Sequence, residues 1–274
     1  MFLMKKSRNL FFLRWTAMPS MLEKRYRAEA ILDPEDNMWV LGGTHDSQSI
    51  LTSEVFVHKS GSWRKGRNLP SDLRDSGLDS FCAVKLNKTH IFIAGGYARA
   101  YKVEGVKQNP NEPPNDAIDD NDDLKSDGGI VLNKSWMYNG YDWTLLPSMT
   151  EARDRPACTS INLPSGKIGI LVAGGCKGWC VKNQPLKSAE VFDLQTEEWY
   201  KVADLPIPLG SARLTHLDGV PSIIGGSDGT KQNDKVFQYF AERNQWIAHP
   251  VAKLRIPRSS AAVFQVPKNL FRNC

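Results

Sequence analysis

The sequence predicts an all-β protein assembled from four copies of one four-stranded unit, and three observations carry that expectation. Four short β-rich runs each end in a glycine pair: WVLGG (39–43), IFIAGG (91–96), ILVAGG (170–175) and PSIIGG (221–226). Downstream of each pair comes a second run in which apolar and polar residues alternate: SEVFVH (53–58), KSWMYN (134–139), SAEVFD (188–193) and DKVFQY (234–239). A tryptophan then follows at a short distance in every copy, Trp63, Trp143, Trp199 and Trp246, and the first three lead into Leu69-Pro70, Leu146-Pro147 and Leu205-Pro206.

The first glycines of the pairs, Gly42, Gly95, Gly174 and Gly225, stand 53, 79 and 51 residues apart, and an insertion between Tyr97 and Gly129 accounts for the long interval. The underlying period is therefore roughly 50, with several short strands per unit; a helical solenoid would instead place apolar residues at i, i+3 and i+4. Glycine at a strand end supplies the positive φ and the close backbone approach that a tight corner needs. Apolar run, Gly-Gly, variable loop, aromatic strand, Trp and Pro-containing turn together resemble the kelch repeat, over residues 11 to 266. The resemblance implies a kelch-type β-propeller, in which four-stranded twisted sheets pack face to face around a channel. It also implies that Trp63, Trp143, Trp199 and Trp246 pack against Phe56, Tyr138, Phe192 and either Phe237 or Tyr239. These tryptophans and the pairs Gly42-Gly43, Gly95-Gly96, Gly174-Gly175 and Gly225-Gly226 are accordingly structural. Trp199 is expected to be buried, at a cost of about 3–5 kcal/mol when truncated to Ala.

On this reading a basic tail (1–10) leads into the propeller (11–266), with four complete blades at about 27–69, 80–146, 157–205 and 211–250, and a short tail at 267–274. Arg14-Trp15-Thr16-Ala17-Met18-Pro19 resembles the close of an earlier repeat, which makes 11–19 a partial outer strand; residues 258–266 resemble the opening strand of a following one. Kelch propellers generally have six or seven blades, and a fifth blade built from these two ends has two strands. The expectation is an incomplete ring that self-associates or requires flanking sequence, because unpaired strand edges invite pairing with another chain. The insertion spans 97–129, and within it residues 104–127 carry eight acids against Lys107 and Lys125. Rich in Pro, Asn and Asp, that segment has the composition of a disordered loop that the fold does not need.

Composition bounds the function. With 41% hydrophobic and 24% charged residues the chain reads as a soluble globular protein, and no apolar window is long enough for a membrane span. Lys5, Lys6, Arg8 and Arg14 interrupt every apolar run near the N-terminus, which argues against a signal peptide and for the cytoplasm, with the nucleus left open. Five scattered cysteines do not look like a disulfide framework, so free thiols are expected; Cys176 and Cys180 form the one close pair, without a second pair to complete a zinc site. Asp119-x-Asn121-x-Asp123 is followed by Leu124 where a calcium loop needs Gly. Neither a metal nor a cofactor is therefore expected. The net charge of +5 is −6 within the acidic segment and +11 outside it, but no nucleic-acid motif accompanies the basic residues.

The function expected is protein binding, without catalysis: the five histidines fall singly at different points of the repeat, and no nucleophile, Walker or dinucleotide motif is present. Loops presented by a rigid scaffold carry binding. In kelch proteins, the resemblance implies, arginines at the start of repeats project onto one face and take acidic peptides. Arg25, Arg155 and Arg258 are read at that place, with Asp79 and Leu209 there in the other two repeats. The loops after the glycines add His45, Asp46, Tyr97, Arg99, Lys177, Trp179, Asp228 and Lys231 as candidate binding residues. The implied partners are a client protein together with a cullin-type ubiquitin ligase component or actin. The alternative is a sugar-binding or sugar-modifying propeller, which would line its channel with clustered carboxylates, His or Tyr.

Overall fold

The computed structural model describes residues 2–6, 13–33, 35–99, 129–178, 180 and 184–263, and these form β-structure with short 3-10 turns. Strand β1 (Phe2–Lys6) pairs antiparallel with β2 (Leu13–Ala17). The first unit follows as β3 (Glu29–Leu32), β4 (Met38–Leu41), a small hairpin β5 (Thr44–His45) and β6 (Gln48–Ser49), then β7 (Ser53–Val57) and β8 (Ser62–Lys65). The second comprises β9 (Cys82–Lys85), β10 (Ile91–Ala94), the hairpin β11 (Tyr97–Arg99) and β12 (Gly129–Val131), then β13 (Ser135–Tyr138) and β14 (Trp143–Leu146). The third is β15 (Ala157–Asn162), β16 (Ile168–Ala173), β17 (Ala189–Asp193) and β18 (Glu198–Val202). The fourth is β19 (Arg213–Leu217), β20 (Val220–Ile224), β21 (Lys235–Phe240) and β22 (Gln245–Lys253). Each unit makes one antiparallel four-stranded sheet in chain order, β3-β4-β7-β8, β9-β10-β13-β14, β15-β16-β17-β18 and β19-β20-β21-β22.

The middle strands of the first three units carry apolar residues on both sides because each of those sheets is covered on both sides. In the third unit Ile170, Val172 and Phe192 join a cluster with Phe92 and Ala94 of the second, while the alternate residues Leu171, Ala173 and Val191 join one with Ile223, Phe237 and Tyr239 of the fourth. Period-two alternation thus sends successive side chains into two different inter-sheet cores. The aromatic pairs expected from the repeat are present, with ring centroids 5.4 Å apart for Phe56–Trp63, 5.2 Å for Tyr138–Trp143 and 5.2 Å for Phe192–Trp199. In the fourth unit Tyr239 is the partner, 5.0 Å from Trp246. Trp199 differs from expectation: it is half-buried, whereas Trp63 and Trp246 on the corresponding outer strands are 9% and 6% exposed.

Three contacts repeat from unit to unit and stitch the sheets together. Each tryptophan's indole N–H donates to a backbone carbonyl of the segment before its own unit, Trp143 to Asn68, Trp199 to Pro147 and Trp246 to Ala203. Trp63 donates likewise to Pro19, so residues 13–19 stand to the first unit as each outer strand stands to the next. The second glycine of each pair donates its N–H across the joint, Gly43 to Leu78, Gly96 to Arg153, Gly175 to Leu209 and Gly226 to Arg258. The first glycine of each pair has no room for a side chain: a methyl at Gly174 (φ +63°) would stand 2.3 Å from the Leu209 carbonyl oxygen.

Two disulfides correct the expectation of free thiols. Cys82 on β9 bonds to Cys158 on β15, and Cys176 bonds to Cys180. The first joins residues 76 apart in sequence, which become neighbours because consecutive units place their inner strands side by side. Spacing along the chain carries no trace of that adjacency.

Candidate functional site

The inner strands converge on a cavity whose mouth is built from one position of the repeat. Arg27, Ser80, Arg155, Ser211 and Ser260 all adopt the left-handed conformation, with φ of 57°, 58°, 50°, 57° and 53°. Backbone hydrogen bonds pass around the mouth: Ser80 N–H donates to Arg27, Arg155 to Ser80 and Ser260 to Ser211. A non-glycine residue in a sparsely populated backbone region costs of order 1–3 kcal/mol and persists only where its surroundings fix it; here those inter-unit bonds do so. The five residues rim a cavity of about 390 Å³ that Glu29, Phe81 and Arg213 also line. Arg213 pairs with Glu29, so an ion pair connects the fourth sheet with the first in this cavity. Burial pushes the Glu29 carboxyl up, and the Arg213 charge opposes that shift. Arg213 Nε also donates to the Ala261 carbonyl, which places the segment from Arg258 onward beside β19.

Charge at the mouth is arranged in alternation. Arg155 and Arg27 supply two guanidinium groups; Asp79 and Asp154 lie buried behind them. Burial lowers the Arg155 pKa, Asp154 and Asp79 hold it up, and the Arg27 charge lowers it again, which means the two arginines sense each other. Asp79 is satisfied by the hydroxyls of Ser49 and Ser80 at 2.6 and 2.7 Å. Asp154 accepts a 3.0 Å bond from the Cys180 backbone N–H at Oδ2, with Arg155 Nε 3.8 Å from the same oxygen; its Oδ1 is buried without a hydrogen-bond partner. Burial accordingly raises the Asp154 pKa, against the pull of the Cys180 N–H and Arg155.

The repeat-start arginines read from sequence divide into two classes. Arg25 is not at the mouth: its side chain is 1% exposed, and it donates to the carbonyls of Gly42 and Thr52 and to Glu54. Its counterpart is Arg153, which donates to Gly174, Ser188 and Glu190 in the same pattern, whereas the counterpart of Arg155 is Arg27. The register was therefore two residues out between the first and third repeats, and Asp79 and Leu209 do not share one position either. Leu78, Leu209 and Arg258 stand where Arg25 and Arg153 do: the carbonyls of Leu78, Arg153, Leu209 and Arg258 accept in turn from the Gly-Gly pairs of units one to four. Arg258 is exposed, with its Nε bonded to the Ile256 carbonyl.

The loop candidates are dispersed. His45 contacts Glu23 at 3.1 Å and Asp46 at 3.4 Å, and Asp46 is almost fully exposed. Tyr97 is buried, with the Arg99 guanidinium 5.5 Å from its ring centroid; Arg99 also donates to the Ser47 carbonyl in the neighbouring hairpin. Asp228 caps its own loop, accepting from Thr230 and Lys231, and those bonds hold its carboxyl down at about 2. Lys177 and Lys231 are exposed. Trp179 and residues 100–128, with the acidic segment, lie outside the described residues.

Sequence reading missed the Arg–Glu assemblies. In unit one, Glu54 accepts from Arg25 and from the backbone N–H groups of Leu22 and Glu23, while Thr52 bonds Glu23. In unit three, Glu190 accepts from Arg153 and from Thr150 N–H, while Ser188 bonds Glu151. The signal was present as Glu23-x-Arg25 and Glu151-x-Arg153, each followed by a glutamate on the third strand.

Comparison with known proteins agrees with this geometry. The Kelch motif family matches residues 170–206, the third unit from β16 through β18. Kelch-like protein 23 of Mus musculus is 25% identical over 217 residues, 76% of this chain and 31% of that protein. Kelch-like protein 34 of Homo sapiens is 26% identical over 186 residues, 67% of this chain and 24% of that protein. Kelch-like protein 21 of Danio rerio is 29% identical over 117 residues, 41% of this chain and 19% of that protein. The chain thus spans less than a third of the length of the curated relatives it matches.

Proposed function

We propose, from the premise that the chain is a kelch-repeat protein, that it holds a client protein by seating an acidic segment of that client in the cavity mouth rimmed by Arg27 and Arg155. One observation carries the reading: two arginines at the same left-handed position of alternate units face one cavity, with serines at that position in the units between and after them. Guanidinium groups take carboxylates in bidentate fashion, and the serine hydroxyls add neutral donors that suit a peptide's carbonyls and side-chain oxygens. An anion arriving there also relieves the mutual repulsion of Arg27 and Arg155. Tyr26, half-exposed beside Arg27, supplies a flanking contact. Presentation of the client to a cullin-type ligase component, or attachment to actin, extends this reading, with a cytoplasmic location for either. A sugar site is less well supported, since the described lining offers Glu29 as its one carboxylate, already paired with Arg213, and neither His nor Tyr.

The reading is tested with a fluorescent Asp/Glu-rich peptide. Arg27→Ala with Arg155→Ala is expected to weaken its binding by roughly tenfold or more and to flatten its salt dependence, since hydrogen bonds to charged groups are individually worth that much. Unchanged affinity in a double variant with an unchanged thermal transition overturns it.

A further inference from the structure

The bond between Cys176 and Cys180 lies at the same mouth and holds its electrostatics in place. Cys176 is buried and is bridged to Asp154 in both directions, its N–H donating to the Asp154 carbonyl at 2.8 Å and its own carbonyl accepting at 2.9 Å. Cys180 is half-buried and contributes the backbone N–H that Asp154 Oδ2 accepts. Both sulfurs rest against Gly210, where a methyl would stand 2.7 Å from Cys176 Sγ and 3.3 Å from Cys180 Sγ. A second cavity of about 190 Å³ opens on the pair, lined by Arg155, Gly210, Ser211 and Ser260 besides the two cysteines. Cys82 and Cys158 also border a cavity, of about 260 Å³, and like Cys176 they are buried, at 2% and 8% exposed; the half-buried Cys180 is the most open of the four sulfur-bearing residues. The two disulfides therefore differ in what can reach them: thiol–disulfide exchange needs a thiolate to approach a sulfur, and access decides its rate.

We propose that Cys176–Cys180 is a thiol–disulfide exchange site whose state sets how Arg155 is presented to a ligand. A dithiol reductant supplies the two electrons: one of its thiolates attacks Cys180 Sγ, the bond to Cys176 Sγ breaks, and Cys176 leaves as a thiolate that takes up a proton. The reductant's second thiolate then attacks the mixed disulfide, releasing Cys180, which is protonated in turn, and closing the reductant's own disulfide. Opening the bond frees Cys180 to withdraw its N–H from Asp154. With Oδ1 already lacking a donor, the buried carboxylate is left with Arg155 as its partner and draws that guanidinium from the rim. The oxidised protein presents Arg155; the reduced protein retains it. The consequence for a client rests on the function proposed above, but the exchange and the arginine's response do not.

The test treats the folded full chain with dithiothreitol for graded times, alkylates the free thiols, maps them by mass spectrometry, and measures in parallel the rate at which phenylglyoxal modifies Arg155. Alkylation of Cys176 and Cys180 before Cys82 and Cys158, with near-ultraviolet circular dichroism unchanged, is expected. Arg155 modification is expected to slow by about threefold, the size of a modest ion-pair contribution, and a Cys176→Ser/Cys180→Ser variant should match the reduced protein. Simultaneous alkylation of all four cysteines, or an Arg155 rate indifferent to reduction, overturns the proposal. Acidic-peptide affinity is measured on both states: absence of binding in each sinks the client reading alone, because the alkylation order and the Arg155 rate are read without it.

Discussion

Arg153→Ala is expected to lower the stability of the protein by about 3–5 kcal/mol, the cost of removing one member of a buried ion pair. Arg153 and Glu190 are both 0% exposed at their side chains, 2.9 Å apart. The guanidinium also donates at 2.8 and 2.9 Å to the carbonyls of Gly174 and Ser188, which sit at the turn closing the Gly-Gly corner. Truncation leaves the Glu190 carboxylate in the sheet interior with the Thr150 N–H as its remaining partner there. Even-numbered units show that the place itself does not demand charge. Leu78 and Leu209 stand at the arginine's position, and Trp136 and Phe237 at the glutamate's, opposite Ile93 and Ile223 as Glu190 is opposite Val172. A double replacement, Arg153→Leu with Glu190→Phe, gives the third unit the residues of the fourth and is expected to recover most of the loss, as apolar replacements of buried ion pairs do. Urea denaturation at constant m-value checks both. An unchanged midpoint in Arg153→Ala would show that the pair contributes nothing; a double variant no better than the single would place the loss in packing instead of in the stranded carboxylate.

Those same arginines show how far the sequence reached. The repeat was legible because its signals are local and fourfold: each Gly-Gly corner needs positive φ and an absent side chain, and each tryptophan sits a few residues beyond its aromatic partner. What a repeat-start arginine does was not legible, since Arg25-Tyr26-Arg27 and Arg153-Asp154-Arg155 each offer two arginines two residues apart. Side chains at such spacing emerge on the same side of an extended strand, and what separates them is the left-handed turn at Arg27 and Arg155, a backbone feature that the residue types do not announce. The Cys82–Cys158 bond was invisible for the complementary reason: it follows from which unit neighbours which, with no pattern inside either unit. At the N-terminus, the hairpin of β1 with β2 adds a paired strand where sequence reading expected a tail.

Among the repeat tryptophans, Trp246→Ala is expected to have a large effect, about 3–5 kcal/mol, as for a core aromatic, and Trp199→Ala a smaller one. Trp246 is 6% exposed, its ring lies 5.0 Å from Tyr239, and its indole N–H donates at 2.9 Å to Ala203, tying the fourth sheet to the third. Removing it opens a cavity against Tyr239, whose hydroxyl burial has pushed up to about 12, and leaves the Ala203 carbonyl without that donor. Trp199 makes the equivalent bond to Pro147 and the equivalent ring contact with Phe192, but it is half-exposed, so its truncation removes less buried surface and water can enter the space left behind. The order of the two variants, measured side by side by thermal and urea unfolding, is therefore the informative result. Equal losses would mean that the indole bond across the joint, common to both, outweighs burial; a larger loss at Trp199 would show that the burial of the ring does not set the cost.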